Sequence, residues 1–250
     1  MATALFVATS HIASAQQGYE FEVYDAEIVP KGSTEIELIS NYVANGLKAS
    51  DEGLYATHHA LRSSIEFSRT LSGWLQGSVY LTTNSTPGNG FAYVGNRAKL
   101  TAVAPSRWNL PFDLGLANEV SYARQGFAEY RWAYELTPIL AKSLGPVTLV
   151  LNPAFERGLR GSEKHYIDLE PRGKVAFGLG DDASMAMEYY GGLGGIGENY
   201  SLGEQRHQVF ARFQTEINKH FEFGLGLGRG LTRSSDKWVL VTTVEYKRKH

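Results

Sequence analysis

Apolar and polar residues alternate with a period of two along most of this chain, which predicts strands rather than helices. The alternation is cleanest in the last stretch, Phe221 to Tyr246. There Phe221, Phe223, Leu225 and Leu227 alternate with Glu222, Gly224, Gly226 and Gly228. In the returning arm Trp238, Leu240, Thr242, Val244 and Tyr246 share one face, aromatic at both ends, and Val241, Thr243 and Glu245 share the other. Such strands suit a wall with lipid on one side and a polar interior on the other.

The same pattern predicts ten strands before this hairpin, at Thr34 to Val43, His59 to Arg69, Trp74 to Thr83, Val94 to Val103, Phe112 to Ala123, Tyr130 to Ala141, Val147 to Arg157, Tyr166 to Phe177, Ser184 to Tyr190 and His207 to Ile217. Twelve is an even number, and most of these strands are close to the roughly 9 to 11 residues that a tilted strand needs to cross a bilayer. Short connections, such as Thr70 to Gly73 and Asn218 to His220, mostly alternate with longer polar ones, including Asn45 to Thr57, Asn84 to Tyr93 and Gly191 to Glu204. Short periplasmic turns and long external loops are the habit of outer-membrane barrels. The connections at Pro105 to Pro111 and Gln125 to Glu129 depart from it, one too long and one too short. The expected fold is an all-β antiparallel transmembrane barrel over residues 34–250.

Parity then assigns the interior. The inward acids are Glu35, Glu37, Glu66, Asp113, Glu119, Glu135, Glu156, Asp168, Glu170, Glu188, Glu216, Glu222 and Glu245, and the inward bases are Arg62, Arg97, Lys99, Arg131, Arg172, Lys174 and Arg212. A soluble barrel would keep charges off its buried face, because an unpaired buried charge is costly. Here the face opposite the charges is apolar in nearly every strand, so the barrel is inside out and its outer partner is outer-membrane lipid. The charges fit either a salt-bridged plug that props a narrow lumen or a pore or ligand site for a small-molecule solute. The acidic excess would favour cations or neutral polar solutes over anions.

Composition adds limits. The 250 residues carry 24 Lys and Arg against 26 Asp and Glu, so no basic excess points to nucleic acid. There is no cysteine, which excludes disulfides, thiolate metal sites and a Cys nucleophile. Tyr 14, Phe 12, Trp 4 and Gly 27 are the mix expected of aromatic girdles and tight turns. Met1 to Gln17 reads as the tail of a secretory signal, cleaved near Ala13-Ser14-Ala15, or else as a buried N-terminal segment. Residues 16–33 then form an acidic, aromatic lead-in on the periplasmic side.

No motif for a metal, cofactor or catalytic residue survives inspection. Gly192-Leu193-Gly194-Gly195-Ile196-Gly197 matches the dinucleotide-binding spacing, but no helix pattern follows to hold a pyrophosphate. His58 and His59 are adjacent, so on a strand they would face opposite ways and not share a metal. His59 and Ser63, on one face of a strand, are about 13 Å apart along it, too far for the dyad of an outer-membrane lipid hydrolase.

The phrases EVYDAEIVPKGSTEIEL, LNPAFERGL, MEYYGGLGGI and GLGLGRGLT resemble a group of Gram-negative outer-membrane β-barrel proteins loosely labelled meta-pathway phenol-degradation or transporter-like proteins. The resemblance implies a barrel in the cell outer membrane that admits small hydrophobic or aromatic molecules. Such proteins generally finish on an aromatic residue, whereas here Lys247-Arg248-Lys249-His250 follows Tyr246.

Overall fold

In a computed structural model the chain is one closed barrel, and the structure describes residues 21–50, 53–87, 90–160 and 166–248. Its strands are β1 (Thr34–Asn45), β2 (Leu61–Ser72), β3 (Leu75–Thr86), β4 (Gly90–Val103), β5 (Asp113–Ala123), β6 (Trp132–Leu144), β7 (Val147–Gly158), β8 (Asp168–Gly178), β9 (Ala183–Gly192), β10 (Arg206–Asn218), β11 (Phe221–Gly230) and β12 (Trp238–Arg248). Each pairs antiparallel with its neighbour in sequence, and β1 closes on β12 from Thr34↔Arg248 to Asn45↔Trp238. Closure leaves no strand edge unpaired, which a bilayer requires because lipid cannot satisfy free backbone N–H and C=O groups.

The strand period of two decides what meets lipid. Ile65, Phe67, Val79, Leu81, Val120, Leu151, Val175, Met185, Met187, Leu225 and Leu227 stand exposed on the outer wall. Tyr80, Lys99, Glu119, Glu170, Arg212 and Val241, from the other parity, are buried inside. The connections after the even-numbered strands gather with both ends of the barrel chain at one mouth, which is therefore the periplasmic one by the turn-length habit. One of them, between β4 and β5, is long and carries a 3-10 turn at Ser106–Trp108.

Glycines on the inner face of β11 make room for large side chains of β10. A Cβ on Gly228 would overlap the Phe210 ring, and one on Gly226 would overlap the Arg212 stem. Both side chains therefore lie flat across β11. A different irregularity lies on the far wall, where Pro138, Pro153 and Pro171 stand on the outer faces of β6, β7 and β8. The β6–β7 register reaches Leu136↔Phe155 and resumes only at Leu140↔Leu151, while Pro153 faces Pro171 across β7 and β8. Proline has no N–H to give the ladder, so backbone pairing is interrupted at this seam.

Several sequence expectations are corrected. Asn84 to Tyr93 is mostly strand, because β3 runs to Thr86 and β4 starts at Gly90. The chain past Tyr246 is strand up to Arg248, and Lys247 turns inward. His58 and His59 precede β2 in a turn where His59 has φ 60°, and their ring centroids are 3.9 Å apart rather than on opposite faces. Finally, residues 21–29 of the lead-in stand inside the barrel. The expected signal segment at residues 1–15 lies outside the described residues.

Candidate functional site

The interior is organised around that inserted segment. It leaves the periplasmic mouth beside β2, where the Gly32 amide donates to the Thr70 carbonyl at 3.0 Å and the Thr70 amide donates to Ser33 at 3.1 Å. It then climbs the lumen to Phe21, which is 1% exposed. Phe21 wedges between Phe210 and Tyr190, with ring centroids 4.4 and 5.2 Å away. Midway, Asn152 of β7 clamps the backbone of Tyr24, its Oδ1 accepting from the amide at 2.7 Å and its Nδ2 donating to the carbonyl at 3.1 Å. Asn152 thus acts as a one-residue partner for a stretch that has no strand neighbour. Ion pairs finish the seat: Glu22 with Lys99 at 3.7 Å and Asp25 with Lys174 at 2.6 Å. The Lys99 ammonium also lies 4.1 Å from the centre of the Tyr24 ring.

Above and around Phe21 the inward charges pair with one another, within a strand or between strands of the wall. Arg97 Nη1 holds both Glu119 oxygens at 3.1 Å and lies over the Tyr80 ring. Arg172 reaches Glu135 at 2.5 Å and Glu170 at 3.2 Å. Arg212 lies 3.5 Å from Glu188, which also accepts from the Tyr190 hydroxyl at 2.7 Å. Asp168 accepts from the Tyr130 hydroxyl at 2.5 Å, and Arg62 sits over the Phe127 ring at 5.8 Å. Carboxylate oxygens of Glu135, Glu156 and Glu170 lie within 4.8 Å of one another, the spacing of a metal site. The Arg172 guanidinium, bonded to two of the three, already supplies positive charge there, so the set does not suit a cation.

Toward the periplasm the lumen widens into a cavity of about 1080 Å³, bounded on one side by residues 21–30 and open at the short-turn mouth. Eleven carboxylates line it, including Glu35, Glu37, Glu66, Glu222 and Glu245, against four bases, Lys99, Lys174, Arg212 and Lys247. Glutamates are stacked in register across five adjacent strands here, as Glu216↔Glu222, Glu222↔Glu245, Glu245↔Glu37 and Glu37↔Glu66. Like charges placed opposite one another repel. The repulsion is offset by Lys247, 2.7 Å from Glu222 and 3.2 Å from Glu245, and by Lys99, 3.7 Å from Glu66. Glu35 accepts from Gln76 at 2.8 Å.

Of the residues assigned to the lumen by parity, three are not enclosed by it. Arg131 precedes β6 and is exposed on the outer wall, where it reaches the outward-facing Tyr122 hydroxyl at 3.5 Å. Glu216 keeps its parity but is exposed at the periplasmic rim, where a bulge after it ends the β10–β11 ladder. Asp113 is likewise exposed at that mouth. Parity could have found Lys247 had the strand been carried past Tyr246. Glu22, Tyr24 and Asp25 carry no alternation against a sheet, so pattern alone could not seat them.

Among the described residues the histidines lie apart, His58 and His59 in the outer loop before β2, His207 in β10 and His220 in the periplasmic turn between β10 and β11. His59 Nδ1 meets the Tyr42 hydroxyl at 2.9 Å, while Ser63 meets Ser40 at 3.0 Å, so neither is engaged with the other. Partial desolvation, with His59 and Lys48 close by, holds the His58 imidazole below its usual range.

No protein-family model and no curated protein matches the chain. Solved structures do. The COG4313 outer membrane channel from Pseudomonas putida F1 is similar over 92% of this chain and 100% of its own, at 14% identity and a TM-score of 0.65. The KdgM porin, solved in complex with disordered oligogalacturonate, is similar over 86% of this chain and 99% of its own, at 10% identity and a TM-score of 0.58. The chain folds as an outer-membrane β-barrel. At these identities the likeness carries the fold, and the lining of the lumen is this chain's own.

Proposed function

We propose that this barrel is an uptake channel for small organic solutes, favouring cationic and neutral aromatic molecules over anions, with residues 21–29 seated as an obstruction that shifts to open it. The observation that carries the reading is the cavity of about 1080 Å³ inside a lipid-facing wall, with its excess of carboxylates. Barrels of about eight strands fill their interior with side chains. This one instead keeps a charged space in contact with the periplasm, bounded by a segment held by side chains rather than by a sheet.

The aromatic preference rests on what Phe21 occupies. Tyr190 and Phe210 form a ring-lined seat within a buried apolar cluster that also includes Val43, Ile139, Val150, Val239 and Val241, and Phe21 meets Tyr190 edge-on at an interplanar angle of 78°. An aromatic solute could take the same seat when Phe21 leaves it. A polyanion such as the oligogalacturonate bound by the KdgM porin would meet like charge in this vestibule.

Planar-bilayer recording on the folded, purified protein tests the reading. Cation-selective conductance is expected in an asymmetric KCl gradient, together with faster uptake into liposomes of an aromatic amine than of the matching aromatic acid. A second reading, a closed barrel whose external loops do the binding, is favoured by the ion pairs around Arg97, Arg172 and Arg212. It would replace the first if neither the wild type nor a variant with residues 21–29 released conducts.

A further inference from the structure

A second surface, on the outside of the wall, has a chemistry the lumen does not explain. On the external rim of β5, β6 and β7 four arginines, Arg124, Arg131, Arg157 and Arg160, are all exposed. They surround two outward-facing rings, Tyr122 and Trp132, whose centroids are 5.0 Å apart. The Arg131 guanidinium lies 5.7 Å from the Tyr122 ring and that of Arg160 lies 6.0 Å from Trp132. Arg124 donates to the Tyr93 carbonyl at 3.2 Å. Arg157 stands opposite Tyr134 in the register, one step closer to the membrane centre than Trp132, and immediately below them Leu136 faces Phe155. The patch is therefore continuous with the lipid-facing belt at its external edge.

Charge selects what covers it. Glu129 is the one exposed carboxylate among the described residues of 124–131 and 157–160, so guanidinium groups dominate. A guanidinium offers a planar fork of N–H donors that suits phosphate oxygens, and four of them at one rim concentrate that donor chemistry. Aromatic rings at this depth pack against the carbonyl and sugar region of a lipid, and acyl chains continue over Leu136 and Phe155.

We infer that this patch is a binding site for a phosphorylated glycolipid of the outer leaflet, a bisphosphorylated lipid A, whose phosphates lie between Arg131, Arg157 and Arg160 and whose acyl chains run down the outer wall of β6 and β7. The site is separate from the lumen, so it holds whether or not the barrel conducts.

The test is lipid binding by the full chain in detergent, read by native mass spectrometry with three probes: bisphosphorylated lipid A, the same lipid stripped of both phosphates, and phosphatidylglycerol. The wild type should retain the first and lose the other two at the same collision energy. Replacing Arg131→Gln, Arg157→Gln and Arg160→Gln together should weaken the first by well over tenfold, at roughly fivefold per basic residue near a membrane surface. The periplasmic-rim variant Arg69→Gln/Arg248→Gln should bind as the wild type does. Equal retention of the dephosphorylated lipid, or of phosphatidylglycerol, by the wild type would overturn the site without any variant having to fold. Undiminished binding by the triple variant would overturn it too.

Discussion

The clamp on Tyr24 gives the sharpest test of the obstruction. Replacing Asn152→Ala deletes an acceptor at 2.7 Å and a donor at 3.1 Å, both buried, from the seat of residues 21–29. Each such bond contributes about 1 kcal/mol net, so the seated state loses about 2 kcal/mol relative to any state in which the segment has left the lumen. Water entering from the adjoining cavity can satisfy the exposed Tyr24 backbone, which keeps the loss from being larger. A change of about 2 kcal/mol raises the ratio of released to seated segment about thirtyfold. The chain has no cysteine, so a single Ala26→Cys substitution provides a clean reporter at a position that is 9% exposed when seated. Maleimide labelling of that cysteine in the folded barrel should accelerate about thirtyfold when Asn152→Ala is added, and bilayer conductance should rise with it. Unchanged labelling in a correctly folded double variant would refute the clamp, and faster labelling with unchanged conductance would refute the obstruction.

Other outcomes follow from particular contacts. Removing two cavity carboxylates with Glu35→Gln/Glu222→Gln should shift the reversal potential in a KCl gradient toward zero, because the cavity loses two of its eleven. Gly228→Ala places a Cβ against the Phe210 ring and should destabilise the barrel in urea titrations by about 1 to 3 kcal/mol; pairing it with Phe210→Leu should recover part of that loss. Val79→Arg, on the outer wall at 55% exposure, should cost about 2 to 4 kcal/mol of folding free energy in lipid bilayers, read by reversible urea unfolding. Amide exchange at Thr137, Ile139, Asn152 and Ala154, which flank the prolines of the seam, should outpace exchange along the continuous β10–β11 ladder from Gln208 to Glu216.

What the sequence reveals and what it hides follow from the two solvents of the wall. Inside the bilayer one face must be apolar, so the alternation through Leu61 to Arg69 or Leu225 to Arg229 is unambiguous and fixes which side chains line the lumen. Beyond the bilayer both faces of a strand are wet, and the alternation fades. Ser85, Thr86, Phe91 and Ala92 pair as strand in a stretch whose polar and glycine-rich composition reads as loop. Arg131 fails for a related reason. The Ala123 amide donates to its carbonyl at 3.0 Å, which closes the turn and starts β6 one residue later, so its side chain leaves the parity of Ala133 and Glu135. The inner glycines of β11 were visible as bare positions, but their purpose required seeing Phe210 and Arg212 lying over them.

The inserted segment is the part no periodicity could foretell, and its chemistry explains why it is held only locally. It is acidic, with Glu22, Asp25 and Glu27, and it enters a lumen whose wider end already has an excess of carboxylates. Bulk electrostatics therefore opposes its insertion. What holds it is a small set of specific contacts: the aromatic wedge at Phe21, the Asn152 clamp, and the pairs to Lys99 and Lys174. The Glu22 side chain is still 30% exposed, and Asp25 is 49% exposed, so their ion pairs with Lys99 and Lys174 are partly screened and modest. The wedge and the clamp, both in the drier half of the lumen, dominate the seat. If the barrel takes up solutes as proposed, a segment held by these local contacts and opposed by the acidic cavity is one that a solute bearing a ring and a positive charge would displace. Such a solute would replace Phe21 between Tyr190 and Phe210 and would relieve, rather than add to, the crowding of carboxylates below.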